Sequence, residues 1–342
     1  MDSPVFAYPP GIRRALSSAL WMGLLVSCGR HSTSLEGTNS EAKPQVERAE
    51  ELALPLTEER PLALWKVSKE GVEPSWLFGT CHAGVVLDES LPEDREVLVR
   101  EASLFVMELD MSSVDAAVVR QMLVLPEEQN LEAILGEEEW KALVDGLDMG
   151  LMAGAFKRLH PFALYAYVTQ QMASEAGTAS IPMDLVLSGM AQGLNIEAAY
   201  LETLEEQMEV FLGMDMQMWI QHIDDLGDPD SKAEMQEALD KTLDLCRTGE
   251  PTGFLELSAD LEGSDKEFNE RLLKIRNENW IEPLDGYFQQ GGVFAAVGAG
   301  HLFGEFSVPS LLEAEGWTVE QQTGITVDRQ AARDRTPSAE NP

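Results

Sequence analysis

Two short stretches, "WLFGTCHAG" at residues 76–84 and "VFAAVGAGHLFG" at residues 293–304, constrain this chain more than any other feature. Each is an apolar run that meets Gly-x-x-His, from Gly79 to His82 and from Gly298 to His301. The chain has only 5 histidines in 342 residues, so two in one local context stand out from background. A short apolar run ended by glycine reads as a buried strand followed by a tight turn. Glycine there lets the backbone bend sharply and approach a ligand closely. Two such units, so far apart, require the intervening chain to leave one sheet and return to it.

The flanks extend the pattern. "LALWKVSKEGVEPSWLFGT" reads as two strands around a turn at Glu70-Gly71. After His82, Ser90 as N-cap and Pro92 as an early proline predict a helix through "EDREVLVREA". "SLFVMELD" is a near-continuous apolar run, as in a buried parallel strand, and ends at the carboxylate of Glu108. The second unit repeats the order: strand "GVFAAV", turn "GAGH", helix "SVPSLLEAEG" stopped by Gly316, return strand "WTVEQQ". Between the units, Trp140, Leu143, Val144 and Leu147 mark an apolar helix face, and "HPFALYAYVTQQM" and "LETLEEQMEVFLGMDMQMWI" add further helices. The expected fold is α/β: a mixed, partly parallel sheet built from two strand–GxxH–helix–strand units. The expected domain covers residues 62–322, with residues 112–275 a mainly helical insertion that caps the site.

A formal charge of −36 and a pI near 4.3 exclude a nucleic-acid partner, which rewards basic surface. At the N-terminus, Arg13-Arg14 precede a short apolar run that ends in Leu25-Val26-Ser27-Cys28. The run is too short to span a bilayer and has the plan of a secretory signal. Its last four residues resemble a bacterial lipobox. That implies a signal peptide over residues 1–27, cleavage before Cys28 and acylation of Cys28. Gly29 in place of aspartate resembles lipoproteins delivered to the outer membrane, so the expected location is the cell envelope, facing the periplasm. Residues 28–61 and 323–342 lack apolar periodicity and read as a disordered tether and tail. With Cys28 lipidated, Cys81 and Cys246 remain. They could pair, but sequence gives no geometry, and no CxxC motif or disulfide framework is evident.

In open α/β sheets ligands bind beyond the carboxyl ends of the strands. His82, His301 and Glu108 each follow such an end, and two imidazoles with a carboxylate can hold a divalent metal ion with a position left for water. Nothing in the spacing selects among manganese, cobalt and zinc. Arg276 could stabilise an oxyanion or bind a substrate carboxylate; it could equally pair with Glu202 or Asp184. The candidate catalytic set is therefore Glu108, Arg276 and Glu202, with His82, His301 and Glu108 as metal ligands. His160 and His222 read as structural.

In their order, "LFGTCHAG", "VMELD", "LETLEEQ", "RNENW" and "VGAGHLFG" resemble the TraB/PrgY/GumN family, which includes the Tiki proteins. The resemblance implies a metal-dependent peptidase using both motif histidines and a glutamate, here His82, His301 and Glu108. Three positions depart from the family pattern: Cys81 where an aliphatic residue is usual, Tyr200 for the glycine before "LET", and Pro182 for the glycine before Asp184. The leading expectation is an envelope-anchored hydrolase acting on a peptide or protein substrate. The alternative is a non-catalytic lipoprotein that sequesters a peptide, as suggested for pheromone-shutdown relatives. Haem handling is a weaker third reading, since no axial-ligand context stands out.

Overall fold

The computed structural model describes residues 54–328, apart from 56–57, 83–84, 111–112, 148, 176–180, 227–228, 260 and 262. The expected signal peptide, Cys28, most of the tether and the tail beyond 328 lie outside the described residues. Six strands make one sheet: β1 (Arg60–Ser68), β2 (Ser75–Thr80), β3 (Leu104–Met107), β4 (Glu197–Tyr200), β5 (Val293–Gly298) and β6 (Thr318–Gly324). Their spatial order is β4-β3-β5-β2-β1-β6. Pairing is parallel from β4 through β3 and β5 to β2, and β1 is antiparallel to both β2 and β6. Five strands thus run one way and β1 alone runs back, giving the mixed, largely parallel α/β sheet that the pattern predicts. The β1–β2 hairpin turns at Gly71, whose φ of +79° suits glycine.

The two Gly-x-x-His strands are central neighbours, with Thr80 of β2 opposite Gly298 of β5. From β2 the chain goes to β3 on one side, and from β5 to β6 on the other. The two connections leave to opposite faces of the sheet, with Val99 packed on one and Leu312 on the other, which opens a crevice at the strands' carboxyl ends.

The main helices are α1 (Pro161–Glu175), α2 (Met183–Gly193), α3 (Leu204–Leu212), α4 (Met216–Leu226), α5 (Pro229–Thr248), α6 (Arg276–Phe288) and α7 (Val308–Ala314). They cover both faces of the central sheet, which is why β2, β3 and β5 read as near-continuous apolar runs. Phe78, Phe105 and Phe294 pack on one face with residues of α1 to α5. Leu77, Val106 and Val297 pack on the other with Trp280 and Leu284 of α6 and Leu312 of α7. Phe294 is fully buried between Phe78 and Phe105, with ring centroids 6.1 and 6.0 Å away. Burial of one such side chain contributes about 1.5–3 kcal/mol.

Three features differ from the sequence expectation. The helix through "EDREVLVREA" is broken into Leu87–Ser90, a tight turn Glu93–Arg95 and Val97–Arg100. Leu91, just before Pro92, is extended at φ −120° and ψ 112°, because the proline ring crowds the helical conformation of its predecessor. Ser90 does not cap; its hydroxyl donates to the Cys246 carbonyl at 2.6 Å. Within the mainly helical segment 112–275 lies the edge strand β4. Finally, pairing reaches past 62 and 322, with Leu54–Pro55 laddered to Val327–Asp328.

Candidate functional site

Glu108 leaves the end of β3 and is only 8% exposed. Its Oε1 accepts the Gly298 N–H at 2.6 Å, and its Oε2 accepts from Arg276 Nη2 at 2.6 Å. Arg276 opens α6, immediately after the π-helical turn Glu270–Ile275. All five of its N–H hydrogens find acceptors. Nε and Nη2 grip both oxygens of Glu202 at 3.0 and 2.5 Å, and Nη2 also reaches Glu108. Nη1 donates to Leu272 O at 3.3 Å and approaches His301 Nε2 at 3.1 Å. Glu202, just beyond β4, also accepts from Trp280 Nε1 at 3.2 Å.

Each motif histidine is anchored at Nδ1 by a side chain from outside its own unit. His82 Nδ1 meets Asp184 Oδ2 of α2 at 2.5 Å, and Thr80 donates to the other Asp184 oxygen at 2.7 Å. His301 Nδ1 meets Asn277 Oδ1 of α6 at 2.6 Å. The Asn277 amide orientation follows from its NH2 group, which donates to the carbonyls of His301 and Phe306 at 3.2 and 2.8 Å. His301 Nδ1 must then be the donor and Nε2 the lone pair.

The electrostatics split the pair. Burial alone would lower the His82 pKa, but the Asp184 carboxylate, with Glu108 behind it, raises it to about 9. Burial and the adjacent Arg276 charge push His301 down to about 3. Burial also works against ionised Glu108, yet the Arg276 guanidinium prevails and holds it at about 2. At Glu202 burial outweighs the same guanidinium, and the pKa rises.

The two motif glycines do different work. A Cβ on Gly79 would lie 3.0 Å from Ala63 Cβ and 3.1 Å from the Ala299 backbone, so that glycine serves packing. A Cβ on Gly298 would sit 3.3 Å from Glu108 Oε1, 3.5 Å from His301 Cδ2 and 3.6 Å from His82 Nε2. The bare α-carbon of Gly298 therefore leaves a cradle onto which all three predicted ligand residues face.

The donor set fits a divalent cation in kind: one carboxylate and two imidazoles whose Nδ1 atoms are anchored by an Asp or an Asn. His82 Nε2 and Glu108 Oε1 already face the cradle. His301 Nε2 lies 3.9 Å from Glu108 Oε1, inside the roughly 4.2 Å that two ligands each about 2.1 Å from one ion can span. That nitrogen is turned to Arg276, however, and would serve as a ligand only if the hydrogen bond were given up. Consistent with this, among the described residues no three His, Cys, Asp or Glu side chains form a ready cage.

The structure thus brings together Glu108, Arg276, Glu202, His82, His301 and Gly298, and sets Gly79 behind them as a packing residue. From the sequence Asn277 reads as a residue of packing and orientation, which its bond to His301 fits; the anchoring role of Asp184 was missed, and Gln207 was missed altogether. Gln207, on α3, is 3% exposed and points its amide nitrogen at Glu108 Oε2 from 3.5 Å; its Oε1 has no hydrogen-bond partner among the described residues. Its one available signal was membership of "LETLEEQ". Beside Glu202 opens a groove of about 540 Å³ lined by Asp110, Asp115, Tyr200, Glu205 and Glu206, with no basic residue among the described residues of its wall. His160 and His222 lie elsewhere: His160 accepts the Phe162 N–H at 3.2 Å, and His222 packs against Tyr165 and Trp219.

No match was found among curated proteins or among solved structures. The model of the TraB/PrgY/gumN family matches residues 63–321, which takes in the whole sheet core from Ala63 to Gln321 and every residue of the cradle. On that match, over more than half of its length, the chain belongs to the TraB/PrgY/gumN family.

Proposed function

We propose that the chain is a metal-dependent hydrolase of the cell envelope that acts on peptides. The observation that carries this reading is the Gly298 cradle, faced by Glu108 Oε1, His82 Nε2 and the His301 ring. When bound there, a divalent cation would polarise a carbonyl and acidify a water. Glu108 is better suited to ligate than to act as a base, since Gly298 N–H and Arg276 already occupy its oxygens. Arg276 and Glu202 are positioning residues: four of the five guanidinium hydrogens are held by Glu202, Glu108 and the Leu272 carbonyl, and the fifth would be released only if His301 turned to the cation. Asp184 holds the His82 imidazole with Nε2 toward the cradle, and Asn277 holds the His301 ring beside it.

The acidic wall of the adjoining groove supports neutral or basic peptide segments as substrates, through a field that fades with salt. Acylation of Cys28 would place the domain at the membrane surface, with the acidic chain facing the periplasm. The test is turnover of a peptide library by the full chain, abolished by chelator and restored by manganese, cobalt or zinc, together with metal analysis. Matched peptides with Lys or Glu flanks should differ at low ionic strength and converge at high. Absence of turnover with all three metals, alongside tight binding of a Lys-rich peptide, would replace hydrolysis by the sequestration reading that the same groove supports.

A further inference from the structure

Outside the cradle, one cluster of reactive groups remains without a role. Cys81 and Cys246 are both buried, at 7% and 2% exposure, and neither is in a disulfide. They come from opposite parts of the fold, one in the first Gly-x-x-His turn and the other near the end of α5, yet their thiols hydrogen-bond to each other. Their backbones are pinned as well. The Cys81 carbonyl accepts the Met183 N–H at 3.2 Å, and the Cys246 carbonyl accepts the Ser90 hydroxyl at 2.6 Å. The contact is therefore built into both backbones rather than made by two loose side chains.

We infer that Cys81 and Cys246 are a disulfide-forming pair that cross-links the first Gly-x-x-His turn to α5. A thiolate of one cysteine attacks a small-molecule or protein disulfide, and a mixed disulfide forms with release of one thiol. The sulfur of the other cysteine then displaces the second thiol. Two S–H bonds of the chain are replaced by one S–S bond, and the oxidising disulfide leaves as two thiols. In the folded state the Cys246 thiol is a poor nucleophile, because the hydrogen bond to Cys81 and burial both raise its pKa. Closure therefore belongs to folding, before α5 seals the pair, and the finished bond is shielded from reductant. Its consequence for the site is direct: Cys81 precedes His82, and its carbonyl is already bonded to the helix that carries Asp184. The cross-link would clamp the His82 turn between α2 and α5, and it does not depend on hydrolysis being the reaction.

The full chain, reduced and denatured, is refolded in a buffer of reduced and oxidised glutathione. Free thiols are then alkylated under denaturing conditions and the peptides mapped by mass. The expected result is one linked peptide pair containing Cys81 and Cys246, two hydrogens lighter than the separate peptides. The melting midpoint should rise by roughly 5–15 °C over that of the reduced sample. Cys246→Ala should abolish both the link and the shift. Should that variant not fold, the mapping of the unmodified chain decides alone. Complete alkylation of both residues after oxidative refolding, or a bond made instead through Cys28, would overturn the inference.

Discussion

His82 and His301 end the same four-residue motif on adjacent parallel strands, yet their surroundings are opposite. The His82 side chain is 28% exposed and is held by a carboxylate, Asp184; that of His301 is 6% exposed and is held by a neutral amide, Asn277. A fully engaged guanidinium presses on His301, and none stands on His82. The difference teaches that a repeated local sequence positions a side chain without setting its charge state. Charge is set by what the rest of the chain carries to that point.

The comparison can be broken first at Arg276. Arg276→Met leaves Glu202 buried without its counter-charge and Glu108 with only His82 as one, and should cost about 3–5 kcal/mol in chemical denaturation. Asp184→Asn should cost less, because it leaves no buried carboxylate unpaired and the amide can still accept from Thr80 and His82. If both variants unfold at the same denaturant concentration, the asymmetry between the two sides is not energetic.

The anchors come next. Asp184→Asn and Asn277→Ala should each weaken metal binding about 10–100-fold, as expected for groups that orient a ligating imidazole. Isothermal titration with manganese or zinc reads the effect. No change in either variant would separate the anchors from the cradle.

The glycines sharpen the contrast at smaller scale. Gly79→Ala should destabilise the fold by about 1–3 kcal/mol through overpacking against Ala63 and Ala299. Gly298→Ala, at φ −53°, meets no backbone strain and should cost under about 1 kcal/mol, yet it fills the cradle and should abolish metal binding. Thermal denaturation beside metal titration distinguishes the two. Equal losses of stability would show that both glycines serve only packing.

His160 gives the smallest effect and a reference outside the pair. Burial holds its folded pKa down to about 4, against 6.5 for the ordinary side chain. The unfolded chain therefore binds the proton first, and stability is unaffected above pH 6.5 and lost as pH falls from about 6.5 to 4. The loss should be about 1 kcal/mol at pH 5 once screening is allowed for, and His160→Asn should remove it. An unchanged pH profile in that variant would place the acid sensitivity elsewhere, with the motif pair as the next suspects.

Much of the framework was legible because it rests on local patterns. Apolar runs ending in glycine marked β2 and β5, and the hydrophobic-to-carboxylate step at "LFVME" marked β3 and Glu108. The broken helix around Pro92 was legible in principle, since the residue before a proline resists the helical conformation, but Ser90 offered a competing capping signal. β4 escaped because four residues, "EAAY", with no alternating pattern are too few to show a strand.

The amino-acid sequence by itself determined the paired Gly-x-x-His units, the strands that carry them and the acidic, helix-rich segment between them. These follow from side-chain periodicity and backbone freedom over a few residues. Tertiary structure alone decided that Arg276 spends all five donors inside the protein, that Asp184 and Asn277 anchor the two imidazoles, and that Gly79 packs while Gly298 leaves room. It decided too that Cys81 touches Cys246. The physical reason is range: hydrogen-bond satisfaction, burial and charge pairing join residues that only the closed sheet and its covering helices bring within a few ångströms, and no local pattern encodes which partners will arrive.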